Sequence, residues 1–128
     1  MLKAYASAEL CIFQNKYDLA NYKLDSLKQV SNAQFLEDEI LWLKALINVK
    51  KKEFSLAATN LERLISVYDN KALEDDAIFK LAMIYENHLN EKNKALELYQ
   101  KILTDYPESL FSAEARKRFR TLRGDQLN

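Results

Sequence analysis

Three aromatic residues, Tyr5, Trp42 and Phe79, recur at a constant spacing of 37 along the chain. Their neighbours return with them. Leu36-Glu37-Asp38-Glu39 reappears as Leu73-Glu74-Asp75-Asp76, Leu41 as Ile78 and Ala45 as Ala82. Self-similarity at a period of roughly 20–50 residues marks stacked supersecondary units, because one unit alone cannot bury its apolar face. A single glycine and a single proline in 128 residues then decide the kind of unit. Turns with positive φ draw on glycine, and an all-β chain of this length would contain many more. The chain is therefore expected to be helical nearly throughout.

The second helix of each unit is the clearest. Its apolar residues are Tyr17, Ala20, Leu24, Leu27 and Val30 in the first unit. In the second they are Phe54, Ala57, Leu61, Leu64, Ile65 and Tyr68, and in the third Ala95, Leu98, Tyr99, Ile102, Leu103 and Tyr106. Steps of three and four put each set on one helical face, which must be buried. Ala20, Ala57 and Ala95 share one repeat position, where a small side chain lets two helix backbones approach.

The preceding helices are expected at about 2–14, 34–51 and 72–88, from the same stepping of apolar residues. Glu37-Asp38-Glu39 and Glu74-Asp75-Asp76 lie in N-terminal turns, and Lys50-Lys51-Lys52 closes the second of these helices, as the macrodipole favours. Ser31-Asn32 and Asp69-Asn70 supply turn and capping chemistry between units. Asp105-Tyr106-Pro107 ends the third unit, since the residue before a proline is driven out of helical geometry. A seventh helix follows, with Phe111, Ala115, Phe119 and Leu122 on one face, charge on the other and Gly124 as its stop. Repeats at 1–30, 31–69 and 70–107, a capping helix at 108–124 and a tail at 125–128 result. Projecting the period back from Leu36 places the first repeat's helix start before Met1. The expectation is a C-terminal part of a longer repeat protein.

Composition narrows the function classes. Nineteen basic and nineteen acidic residues cancel, so no global field draws in nucleic acid or anionic lipid. No apolar run reaches the length of a membrane span, and Met1-Leu2-Lys3-Ala4 does not begin a secretory signal. The lone Cys11 rules out an intrachain disulfide.

These residues resemble the tetratricopeptide repeat (TPR) family. The third unit matches through Ile78, Leu81, Ala82, Tyr85, Ala95, Tyr99 and Pro107. The second matches through Leu41, Ala45, Phe54, Ala57 and Leu61, but has Lys44 and Asn48 where apolar residues are usual. The first keeps Ala8, Tyr17, Ala20 and Leu24. The resemblance implies an all-α fold, a right-handed α-α superhelix of about three TPR-like helical hairpins with a C-terminal capping helix. The longer spacing, together with the segment from Asp105 to Phe119, is similar to bacterial cell-envelope members. Those include the periplasmic repeat protein of the Tol–Pal system and the lipoprotein partner of the outer-membrane barrel-assembly machine. On that likeness the location would be periplasmic or envelope-associated.

In the family the concave groove is lined by the first helix of each pair. Carried over by position, it would present Tyr5, Glu9 and Ile12, then Trp42, Leu46 and Val49, then Phe79, Met83 and Glu86. The family's carboxylate clamp wants Lys and Asn at such places, and here the rings of Tyr5, Trp42 and Phe79 stand instead. The resemblance thus implies no clamp, but a groove for apolar or aromatic side chains of a protein or peptide partner, anchored on Trp42. The competing reading is that these rings pack against the neighbouring repeat.

Other features have structural explanations. The basic run Arg116, Lys117, Arg118, Arg120 and Arg123 reads as a solvated face beside a helix C-terminus, more than a phosphate contact. The acidic clusters at 37–39 and 74–76 recur at helix starts, which explains them without a metal. His88 reads as a surface residue without a catalytic partner, Cys11 as a small core residue, and Arg123-Gly124-Asp125 as a helix stop resembling an adhesion tripeptide by chance. No phosphate loop, metal cluster or nucleophile with a base is visible, so no catalytic residue, cofactor, metal or small-molecule substrate is expected. The expected function is a non-catalytic protein–protein interaction scaffold. A structural cap of a larger solenoid, with self-association of the isolated segment, is the first alternative, and nucleic-acid binding through the terminal basic helix is the disfavoured second.

Overall fold

In a computed structural model, residues 2–30, 34–67 and 71–124 are described, with side chains at 5–28, 37–67 and 73–124. Within them the chain is all-helical. The elements are α1 (Leu2–Phe13), α2 (Tyr17–Val30), α3 (Gln34–Lys50), α4 (Phe54–Val67), α5 (Lys71–Asn87), α6 (Lys92–Asp105) and α7 (Ser112–Arg123). The seven expected helices are all present; α1, α3 and α5 lie within a residue of their expected ends, whereas α7 begins four residues after the expected start of the cap at 108. Lys51 and Lys52 fall in the turn after α3 rather than within it, and Phe111 immediately precedes α7 instead of lying on it. The linker residues Ser31-Asn32 and Asp69-Asn70, and Asp125 of the tripeptide, lie outside the described residues.

The chain forms two compact units, Met1–Asn60 and Leu61–Asn128, with the boundary inside α4. In the first unit α1 packs on α2 and α2 on α3. Its core joins Ala8, Cys11 and Ile12 of α1, Ala20, Leu24 and Leu27 of α2, and Ile40, Leu43 and Ile47 of α3. Full burial of a leucine such as Leu24 stabilises the fold by about 1.5–3 kcal/mol. In the second unit α6 packs on both α5 and α7. Its buried residues include Ala77, Ile78, Leu81, Ala82, Ile84 and Tyr85 of α5, Ala95, Tyr99 and Ile102 of α6, and Ala115 of α7. Ala20, Ala57 and Ala95 are all fully buried, as close helix crossing requires. Cys11 is a buried free thiol in the first core, and His88 is exposed.

The turns inside the hairpins carry their own period. Among the described residues, Asn15, Lys52 and Asn90 are the non-glycine residues with positive φ, at 63°, 62° and 54°. After α1, Lys16 N–H bonds the Cys11 carbonyl at 2.7 Å and Asn15 N–H bonds Ile12 at 3.0 Å. After α3, Glu53 N–H bonds Asn48 at 2.7 Å and Lys52 N–H bonds Val49 at 3.0 Å. This paired closure is the Schellman motif, with a left-handed residue where glycine is usual. The turn after α5 is one residue longer and closes from Glu91 N–H to the Tyr85 carbonyl at 2.9 Å. That inserted residue is why Ala57 and Ala95 are spaced by 38 while Ala20 and Ala57 are spaced by 37. Gly124 ends α7 at φ 88°, as expected.

Two departures from the family pattern have local partners. Lys44 forms an ion pair with Asp25 of α2 at 2.5 Å. Asn48 donates to Glu53 at 3.0 Å and accepts from the Asn60 amide at 2.8 Å, tying α3 to the residue before α4 and to the middle of α4. Polar groups that leave water are tolerated when they find such partners.

Candidate functional site

The residues assigned to a groove are distributed between the two units, and their surroundings differ. In the first unit Glu9, Ile12 and Leu46 come together with Phe13, Asn15, Leu43 and Lys50 around an open groove of about 390 Å³ between α1 and α3. Its lining is mainly apolar, with one acid and one base. Ile12 and Leu43 belong to the core beneath it, and Leu46 leans on that core half-buried. Glu9 is exposed and Val49 half-buried.

Tyr5 and Trp42 also lie half-buried against the first core. Burial pushes the Tyr5 hydroxyl up to about 12, and the nearby carboxylates of Glu9, Glu39 and Asp38 add to the shift. Glu39 is raised as well, first by burial and then by Asp38 and Glu9. Asp38 is itself buried, and its Oδ1 accepts the Glu39 N–H at 2.8 Å. Negative charge is therefore gathered along the edge of the groove that Glu9 marks.

Phe13 was not among the expected residues, yet it is the most exposed ring on this surface, at 86%. The repeat itself held the signal. The same position in the next two units is Lys50 and Asn87, both polar and both exposed. A phenylalanine at a position that is otherwise polar stands out against its own repeat, whereas judged singly it reads as one more core aromatic.

In the second unit Phe79, Met83 and Glu86 are engaged by α6, by α7 and by the residue before α7. Phe79 stacks on Phe111 with ring centroids 4.6 Å apart, and meets Tyr99 edge-on at 5.9 Å. The fully buried Tyr99 directs its hydroxyl to Glu86 Oε1 at 2.7 Å and lies 3.1 Å from Met83 Sδ. Burial raises the Tyr99 hydroxyl far above its usual range, with Glu114 adding to the effect. Arg118 closes the set: its Nε donates to Glu86 Oε1 at 3.0 Å and its Nη2 to Oε2. This corrects the reading of the basic run as a uniformly solvated face. Arg116, Lys117 and Arg120 are exposed, Arg118 is a half-buried structural cation, and Arg123 lies 5.0 Å from the Phe119 ring.

The acidic clusters at helix starts bond within the fold. Asp75 Oδ1 accepts the Asp76 N–H at 3.0 Å, repeating the Asp38–Glu39 arrangement 37 residues on, and its Oδ2 accepts from Ser109 at 2.8 Å. Among the described residues no group of three or more His, Cys, Asp or Glu side chains is disposed to hold a metal ion. No helix among them is long and apolar enough to cross a membrane.

Residues 76–109, from α5 through α6 to the segment before α7, match the model of the tetratricopeptide repeat family. This stretch is TPR-like. The match covers the unit in which the sequence resemblance was fullest, and TPR modules in general act in protein–protein interaction. No curated protein matches the chain, so the likeness to cell-envelope members rests on the sequence alone.

Proposed function

We propose that this chain is a non-catalytic protein-interaction scaffold, built of TPR-like repeats at 1–30, 31–69 and 70–107 with a cap at 108–124. The partner segment docks in the α1/α3 groove of the first unit. The observation that carries this reading is the convergence of Glu9, Ile12 and Leu46 on one open, mainly apolar groove beside the bare ring of Phe13. Such a groove fits an amphipathic helix or extended segment with aromatic or aliphatic anchors. The carboxylates near Tyr5 favour a basic residue at the partner's adjoining end. Trp42 packs half-buried against the first core without lining the groove, and Val49 is half-buried on α3. The envelope location belongs to this proposal as a resemblance only.

A structural reading is favoured in the second unit alone. There Phe79, Met83 and Glu86 already have partners on α6, on α7 and at Phe111, so this face serves the cap.

Selection from a phage-displayed library of random peptides tests the docking site. Peptides retained by the wild-type chain should carry spaced apolar or aromatic residues and be lost on a Phe13→Ser, Leu46→Ser variant. Retention on that variant, or enrichment of acidic peptides without apolar anchors, would overturn the assignment.

A further inference from the structure

One set of repeat positions is closed by polar contacts in the first unit and open in the second. In the first, Lys44 of α3 pairs with Asp25 of α2 at 2.5 Å, and the Asn60 amide of α4 donates to Asn48 of α3 at 2.8 Å. One repeat later Asp25 becomes Glu62, Lys44 becomes Leu81 and Asn48 becomes Tyr85, each 37 residues on. Asn60 becomes Leu98, 38 residues on because the turn after α5 is longer. All four replacements line an open groove of about 430 Å³ within the second unit, bounded by α4, α5 and α6.

The replacements account for the opening. A lysine can lay its aliphatic stem on apolar surface and still bring its ammonium to the rim, where Lys44 meets Asp25. Leu81 is shorter and uncharged, and with Tyr85 it forms a buried apolar floor. The acid of the pair is kept, as Glu62, and Glu97 joins it on the rim. Both carboxylates are exposed, and among the described residues neither is in an ion pair. The one cation lining the groove, Lys94, lies 5.2 Å from the centroid of the Tyr85 ring. Relative to its counterpart in the first unit, this groove has retained the acid and lost the cation that answers it.

We propose that this groove takes a lysine side chain, with an adjoining apolar residue, from a partner protein. The ammonium meets Glu62 and Glu97 while the stem lies over Leu81 and Tyr85. The chain's own Lys44 is the template, since a lysine facing an acid is how the same repeat positions are closed in the first unit. Two carboxylates against the single ammonium of Lys94 leave a net negative rim, and a cation is what complements it. The half-buried Ile65 and Leu98 extend the apolar lining beyond the reach of one stem, which gives the adjoining apolar residue its place. The site shares no residue with the α1/α3 groove.

Titration of the full chain with the capped peptide Ser-Gly-Lys-Leu-Ser, followed by backbone amide NMR shifts, tests the proposal. Saturable shifts centred on Ile65, Leu81 and Leu98 are expected, with a Kd on the order of 1 mM for so small a ligand. The same peptide with norleucine in place of lysine keeps the stem and loses the charge, and it should bind at least threefold more weakly. Glu62→Gln should weaken the lysine peptide about threefold, and Glu62→Gln with Glu97→Gln about tenfold, the scale of exposed ion pairs. Leu81→Lys restores the cation that Lys44 supplies in the first unit and should abolish binding. If that variant fails to fold, the two glutamine variants, at exposed positions, still decide. No saturation up to about 10 mM peptide, roughly tenfold above the expected Kd, would overturn the proposal. So would equal affinity for the lysine and norleucine peptides, or wild-type affinity in the double glutamine variant. Shifts of the same amides on raising the protein concentration alone would assign the groove to a second copy and overturn it too. Phe13→Ser should leave this binding unchanged, so failure here and failure of the α1/α3 docking site are read separately.

Discussion

Glu86 and Arg118, 32 residues apart, form a two-pronged ion pair that joins α5 to α7. The Glu86 side chain is only 8% exposed and also accepts from Tyr99. Removing the cation leaves a carboxylate with little access to water, whereas removing the acid leaves a guanidinium that can reach solvent. Arg118→Ala should therefore cost about 2 kcal/mol, below the full cost of breaking a buried pair because Arg118 is partly exposed. Glu86→Gln, which keeps an acceptor for Tyr99, should cost less. Urea unfolding of the two variants checks the order, and a cost of Arg118→Ala within experimental error would show that the pair holds nothing.

The left-handed turn residues make a prediction of opposite sign. Lys52 sits at φ 62° with its side chain exposed, in a conformation that costs a non-glycine residue about 1 kcal/mol. Lys52→Gly should raise stability by about 0.5–1 kcal/mol, and Lys52→Val should lower it. Thermal melts distinguish the three proteins. A glycine variant less stable than wild type would contradict the turn geometry.

Overpacking should be sharply felt at the helix crossings. Ala20 and Ala95 are fully buried, so Ala20→Leu or Ala95→Leu should destabilise by roughly 1–3 kcal/mol. Ala113→Leu, at an exposed position on α7, should be near neutral by the same measurement.

The shifts around Tyr5 set two limbs of the stability–pH profile. Tyr5 moves from 10.0 to about 12 on folding, so the folded state holds its proton more tightly. Its contribution is intact below about 10 and is lost as pH rises through about 12. Tyr5→Phe should flatten that alkaline limb. Glu39 is also raised above its ordinary value of 4.5, so its contribution is present below that value and is lost as pH rises through the folded one. Glu39→Gln should consequently stabilise the chain at pH 7 by a few tenths of a kcal/mol, as expected for removing a charge disfavoured first by burial and then by Asp38 and Glu9. The gain should vanish near pH 4. Denaturation at both pH values checks it, and an equal gain at both would contradict the assigned cause.

Periodicity exposed the helices because each must turn a fixed face inward, and Ala20, Ala57 and Ala95 report that face directly. It could not show which long side chains would meet across helices. Glu86 and Arg118 do not occupy one repeat position, and nothing in a local pattern pairs them. Lys52 was read as a helix-ending cation, since no residue-type rule marks lysine for a left-handed turn. Phe13 is not marked by helical periodicity, and only comparison with Lys50 and Asn87 at the same repeat position sets it apart. The groove residues were carried over by position, and position alone does not separate an open face, as at Leu46, from one engaged by a neighbour, as at Phe79.

The single tryptophan, Trp42, offers the most direct measurement of the docking site. Titration of the chain with a selected apolar peptide should shift Trp42 emission and saturate. Phe13→Ser should weaken that binding at least tenfold, about 1.4 kcal/mol, while leaving the melting temperature unchanged because its side chain is almost wholly exposed. Equal affinity in the two proteins would contradict a partner groove between α1 and α3.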